Sequence, residues 1–82
     1  MHIGNSVFTI VSIEPGKEHK FGDDKTFTLR MCSVASGRFG VTLGKLGFDI
    51  GVGGMWRIKS REYCAVKNVG KDVAVLHVTS MP

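Results

Sequence analysis

Cysteine is scarce in this 82-residue chain: Cys32 and Cys64 are the only two, widely spaced and in no CxxC pair. That rules out a scaffold stapled by several disulfides. It points to free thiols in a reducing compartment, with one structural disulfide as the alternative. Histidine is nearly as rare. His2, His19 and His77 lie far apart, whereas a catalytic metal needs about three protein ligands that converge. No apolar segment approaches the roughly 18–20 residues of a membrane span, and no basic-then-apolar leader opens the chain. No run of five basic residues is present, no stretch keeps a helical period over three turns, and nothing repeats at a fixed spacing. A Ser-His-Asp or Cys-His order in a helpful context is missing, as is a glycine-rich phosphate loop leading into a helix. These absences leave no complete catalytic constellation and call for no cofactor.

What is present is mildly basic. Eleven Lys and Arg against seven Asp and Glu give a net charge of +4, which suits a nuclear or cytoplasmic domain and leaves weak nucleic-acid contact open. The length allows one domain, residues 1–82, with no room for a second core. A chain this short buries only about 60–65% of its unfolded surface, so something must add burial. Disulfides, metals and oligomerisation are the usual additions. The first two have little support here, which leaves oligomerisation. The short length and abrupt ends suggest a piece of a longer protein.

The chain is organised around residues 51–68, GVGGMWRIKSREYCAVKN. Glycine at 51, 53 and 54 permits positive φ and a sharp reversal. Trp56 and Ile58 then share one face of a strand, while Met55 and Arg57 take the other. Lys59, Ser60 and Arg61 make a basic turn, followed by a strand over residues 63–68. Upstream, SVFTIVSI (6–13) reads as a strand rich in β-branched residues, ended by Pro15-Gly16 and a loop through Asp24. Residues 26–35 form a longer strand with apolar side chains on both faces. Phe39, Val41 and Leu43 alternate across the next strand, and Leu46, Phe48, Ile50 and Val52 across the one after, with Gly44-Lys45 between. Gly70-Lys71-Asp72 makes a last hairpin turn before VAVLHVT (73–79). Roughly eight short strands with turn signals every 8–12 residues describe an all-β sandwich or barrel.

Phe39, Phe48, Trp56 and Ile58 are the expected barrel core, and Cys64 a small thiol filling it. His19, in KEHKF, reads as an exposed loop histidine. His77 alternates with Val73 and Val75, opposite Ala74, Leu76 and Val78, and is either a half-exposed strand residue or part of an interface. Arg57, Lys59 and Arg61 could contact phosphate or an acidic partner; an ordinary solvated face explains them equally well.

A strand ending at Gly37, the alternation of Phe39, Val41 and Leu43, then Phe48 and Ile50, the run Gly53-Gly54-Met55-Trp56-x-Ile58, and Asn68 ahead of a final apolar strand together resemble a cupin. More narrowly, the chain resembles the C-terminal cupin domain of the centromere protein C (CENP-C) family of kinetochore proteins, from about Val7 to Thr79. It departs from cupins in three places. Their turn usually carries proline and glycine, where this chain has Lys59 and Arg61. Metal cupins place histidine four residues before the asparagine, where this chain has Cys64. The glutamate of their first metal motif would fall at Arg30, and a cation there repels a divalent ion.

The resemblance implies an all-β cupin-type jelly roll (a double-stranded β-helix barrel) over residues 1–82, the C-terminal part of a longer protein. It also implies a non-enzymatic homodimer without metal, cofactor or catalytic residue. Such a domain pairs chromatin-binding chains of a kinetochore scaffold in the nucleus, at the centromere. Its partners would include other kinetochore proteins or loading factors for the centromeric histone, with no membrane, and DNA or nucleosome contact mainly through regions outside the domain. In the cupin register Arg30, Cys32 and Val34 face the barrel, so Leu29 and Met31 point outward. There they join Val75 and His77 as the expected dimer interface, and a one-residue slip would swap the two sets. Arg30, facing inward, requires a partner that the sequence does not identify. The rival expectation is a small metal-dependent cupin enzyme or a small-ligand-binding cupin.

Overall fold

The strands of this chain change sheet at almost every turn. The computed structural model describes residues 6–22 and 27–82; His2 and Thr26, where the longer strand was expected to begin, lie outside them. Its elements are β1 (Val7–Ile13), β2 (Glu18–Phe21), β3 (Leu29–Ser36), β4 (Phe39–Leu43), β5 (Leu46–Ile50), β6 (Met55–Lys59), β7 (Cys64–Asn68) and β8 (Ala74–Met81). They form two four-stranded sheets, ordered β1-β8-β3-β6 and β2-β7-β4-β5. All the pairings are antiparallel. The architecture is the jelly roll that the strand count and alternation lead one to expect.

Only β4 and β5 are neighbours both along the chain and within a sheet. Leu43 pairs with Leu46, so Gly44 and Lys45 are the two central residues of the hairpin. Gly44 has φ 60°, the positive first position of a type II′ turn, whose twist matches the strands it joins. The stretch Gly70-Lys71-Asp72, expected to make a hairpin, instead crosses from one sheet to the other. The reason is topological: β8 is zipped between β1 and β3, so its predecessor β7 must lie in the opposite sheet. Of the three glycines at 51, 53 and 54, Gly53 alone uses positive φ, at 85°. Gly54 is needed for space, since a Cβ there would run into the Ile50 side chain and sit 3.0 Å from the Gly51 carbonyl.

Several strand boundaries also differ from expectation: β3 begins at Leu29 and runs to Ser36, and β8 runs from Ala74 to Met81. Residues 18–21, read as loop, form β2 because EHKF pairs with β7 from Glu18↔Lys67 to Phe21↔Cys64. Its charged outer residues hide the period-2 signal. The strand expected through Val52 stops at Ile50, and Val52 lies exposed in the turn. Tyr63 is also exposed and precedes β7.

Between the sheets lies the core. Ile13, Cys32, Val34, Trp56, Ile58, Ala74, Leu76 and Val78 descend from one sheet, and Phe39, Val41, Cys64 and Val66 rise from the other. The period-2 burial of β8, alternating buried and half-buried along its length, shows how one strand feeds the core and the surface together. Phe39 and Ile58 are fully buried and Trp56 nearly so. Phe48 is half-buried and packs edge-on against Trp56, with ring centroids 6.2 Å apart at 80°.

Candidate functional site

Two surfaces could carry function: the end of the interior where a metal cupin holds its ion, and the outer face of the β1-β8-β3-β6 sheet. The interior end is built by β2, β3 and β7. Pairing of Phe21 with Cys64 puts both on the inner face. His19, two residues before Phe21, shares that face. It is half-buried and meets Phe21 edge-on at 4.9 Å, which corrects the expectation of an exposed loop histidine. Opposite them is Arg30. Its guanidinium lies 5.7 Å from the centroids of both Phe21 and Phe27 and donates from Nη1 to the Gly22 carbonyl at 3.1 Å. The interior cation therefore has partners, two aromatic faces and a carbonyl among them, which offset part of its desolvation.

His19, Arg30 and Cys64 thus gather around Phe21 at this end of the interior, but they are a poor set of metal donors. One imidazole, a guanidinium and a thiol are not a set that holds a divalent ion, which wants several neutral imidazoles or anionic donors. Among the described residues no group of three or more His, Cys, Asp or Glu is placed to bind one. The thiols are the wrong form as well. Burial pushes the Cys64 thiol up, as it does Cys32, which rises to about 12 with the nearby Cys64 adding to the effect. Both are free and buried, so neither rests as the thiolate that a nucleophile would need. The indole N–H of Trp56 inclines the Cys64 sulfur slightly toward ionisation. That N–H is buried without a hydrogen bond of sound geometry among the described residues.

A raised thiol pKa fixes the sign of a pH effect. The unfolded chain releases a cysteine proton near pH 8.5, while folded Cys32 keeps it to about 12. Across that window the folded state binds more protons, so stability is lost as pH rises. Between pH 8 and 10 the unfolding free energy should fall by about 2 kcal/mol on account of Cys32. Urea unfolding at the two pH values measures it. A Cys32→Ala chain, less stable at pH 8, should show a flatter dependence.

The outer face of the β1-β8-β3-β6 sheet has a broad region without charge among the described residues. Register places Phe8 beside Thr79, Ile10 beside His77, Thr79 beside Met31, and His77 beside Ser33. Phe8 is 59% exposed and Ile10 60%, and Phe8 meets the His77 ring edge-on at 5.4 Å. Leu29, Met31, Val75 and His77 are half-buried on this same face. No outward residue of β1, β8 or β3 is charged. On β6, Met55 is 61% exposed, while Arg57 and Lys59 stand opposite Met31 and Leu29 and border the patch. Arg61 is exposed in the following turn at φ 67°, held where the Glu62 N–H meets the Lys59 carbonyl at 3.1 Å. Phe8, Ile10 and Met55 were missed from sequence. Phe8 and Ile10 share β1 with Val7, Val11 and Ile13, so both of its faces look apolar and alternation alone does not choose.

The other sheet's outer face is ordinary by contrast. Glu18, Lys20, Lys67 and Asp49 stand on it, and Lys20 and Glu18 are 3.9 Å apart in an exposed pair of little energetic consequence.

No family model matches the sequence, and no curated protein is significantly similar to it. Solved structures do match. The cupin domain of Schizosaccharomyces pombe Cnp3 superposes with a TM-score of 0.79 at 19% identity, over 99% of this chain and 58% of that one. This is a cupin fold. The cupin domain of an XRE-family transcriptional regulator from Enterobacter cloacae matches with TM-score 0.84 at 12% identity, over 94% of this chain and 81% of that one. A predicted oxalate decarboxylase from Thermotoga maritima matches with TM-score 0.80 at 13% identity, over 92% and 64%. The chain therefore spans less than two thirds of both the Cnp3 and the decarboxylase structures. Its cupin-fold neighbours thus include domains of a yeast protein and of a transcriptional regulator as well as a predicted enzyme.

Proposed function

We propose that this cupin is a non-enzymatic homodimerisation domain of a kinetochore scaffold, pairing two copies through the outer face of the β1-β8-β3-β6 sheet. The observation that carries it is the uncharged apolar patch centred on Phe8, Ile10, Met31 and His77. Each copy has a net charge of +4. A charged face would therefore repel its own copy, whereas a neutral apolar one suits self-pairing about a two-fold axis. The patch is of useful size. The three uncharged strands, spaced about 4.8 Å apart and up to eight residues long, cover about 380 Å² in projection. Side-chain relief brings this toward the roughly 800 Å² per partner of a standard interface.

The CENP-C resemblance, and the presence of the Cnp3 domain, a CENP-C homologue, among the structural neighbours, support the centromeric reading. On it, pairing joins two chromatin-binding chains and raises their avidity through effective concentration. Nuclear location at the centromere follows. So do docking of other kinetochore or histone-loading proteins, and nucleosome contact mainly outside the domain. Arg57, Lys59 and Arg61, at the patch border, are then a surface for acidic partners.

Sedimentation at micromolar concentration tests the dimer; an 8.9 kDa species throughout would sink it. Ile10→Asp should weaken self-association at least about 100-fold, because each substitution enters a two-fold interface twice. The Leu29→Asp/Met31→Asp chain should likewise be a folded monomer.

A further inference from the structure

We infer that pairing through the outer face of the β1-β8-β3-β6 sheet is switched by the charge on His77: the neutral imidazole lets two copies close, and the protonated one parts them. The inference rests on the dimer reading and names what regulates it. His77 lies within the patch, in a row that crosses the four strands from Ile10 through His77 and Ser33 to Met55. The neighbouring row is Phe8, Thr79, Met31 and Arg57. His77 is half-buried in the single copy, so a partner laid on this face would take it further from water.

The charges around it decide the sign. From β1 it meets Phe8 and Ile10, from β3 Met31 and Ser33, and along β8 Val75 and Thr79; none of these titrates. From β6 come Met55 and two cations, Arg57 and Lys59. No outward residue of the four strands is Asp or Glu, so a protonated imidazole finds no counter-ion on this face. A two-fold partner presents the same face and therefore brings no carboxylate either, only further cations. An unpaired charge is costly to bury, so His77 must shed its proton before the copies close. The Phe8 ring, edge-on at 5.4 Å, belongs to the same copy and is in contact with or without a partner. It therefore favours neither charge state on pairing. The dimer thus binds fewer protons than two monomers. Its affinity is full above the range where imidazoles change charge, about pH 5–8, and is lost as pH falls through it. With one His77 from each copy, the loss approaches about 100-fold per pH unit at the acid end.

Sedimentation of the natural chain near pH 7.5 and near pH 5.5 tests the switch. The dimer constant should weaken at least about 30-fold at the lower pH, with far-UV circular dichroism unchanged. His77→Gln, uncharged at both, should associate equally at the two. If the glutamine chain does not fold, a proton NMR titration of the His77 ring in the natural chain decides the matter. Its midpoint should move to lower pH as protein concentration rises, because pairing selects the neutral form. Equal association of the natural chain at both pH values, a glutamine chain as acid-sensitive as the natural one, or a midpoint independent of concentration would each overturn the switch and leave the dimer standing. A monomer at the higher pH would end the dimer reading, and the switch with it.

Discussion

Gly37→Ala should unfold the domain or come close to it, with a loss of about 4 kcal/mol in urea denaturation followed by Trp56 fluorescence. Gly37 links β3 to β4 at φ 84°, a left-handed conformation that costs an L-residue about 1–2 kcal/mol. The larger part is steric. A Cβ at this position would overlap the Cβ of Ala74 and lie 2.8 Å from its Cα. Ala74 is fully buried at the start of β8, and it has no rotamer by which to withdraw. The clash is with backbone, so either the β3–β4 crossing or the whole entry of β8 into its sheet must move. Stability of a chain this length is only about 4–12 kcal/mol, so the loss is a large share of the total. Gly44→Ala separates the two terms. Gly44 has φ 60° and nothing within 4 Å of its would-be Cβ, so that change should cost only about 1 kcal/mol. Equal effects at the two positions would show that the Ala74 contact does not matter.

Asn68→Ala should cost nearly as much, about 3–4 kcal/mol, for a different reason. The Asn68 side chain is 1% exposed and makes three hydrogen bonds. Its Nδ2 donates to the Ile13 carbonyl at 2.8 Å and the Asp72 carbonyl at 2.7 Å, while its Oδ1 accepts from the Gly70 N–H at 2.9 Å. One amide thereby ties the end of β1, in one sheet, to β7 in the other, and shapes the crossing into β8. Alanine would leave two carbonyls and an N–H wanting partners where water has poor access, and such groups each cost about 1–3 kcal/mol. Asn68→Asp should be at least as damaging, since it sets a carboxylate against two carbonyl oxygens. Both chains must be compared with the natural one at matched protein concentration, because self-association adds to apparent stability. A change of less than about 1 kcal/mol for Asn68→Ala would show that solvent replaces the amide easily.

Much of this protein was legible in one dimension, and the limits are instructive. Alternation in 39–43 and 73–79 and the glycine turns announced strands, because a period of two and positive φ are local properties of the chain. β2 was illegible for the opposite reason. Four residues bearing Glu18 and Lys20 have no intrinsic claim to be a strand, and they become one only because β7 offers its edge. With β2 in place His19 turns inward, which no local pattern announced. Hairpin and crossover are likewise indistinguishable from the residues of a turn. Gly44-Lys45 and Gly70-Lys71-Asp72 look alike, yet one keeps the chain in its sheet and the other carries it across.

The sequence by itself determined that the chain is all β with a two-sided pattern, and that Arg30 and Cys64 interrupt otherwise apolar strand faces. Those are matters of side-chain identity and local period. Only the tertiary structure decided which strands share a sheet, which face of β1 is outward, and how Arg30 is held between Phe21 and Phe27. These depend on pairing between residues distant along the chain. An apolar pattern on both faces of a strand fits two registers equally well until the other strands close around it.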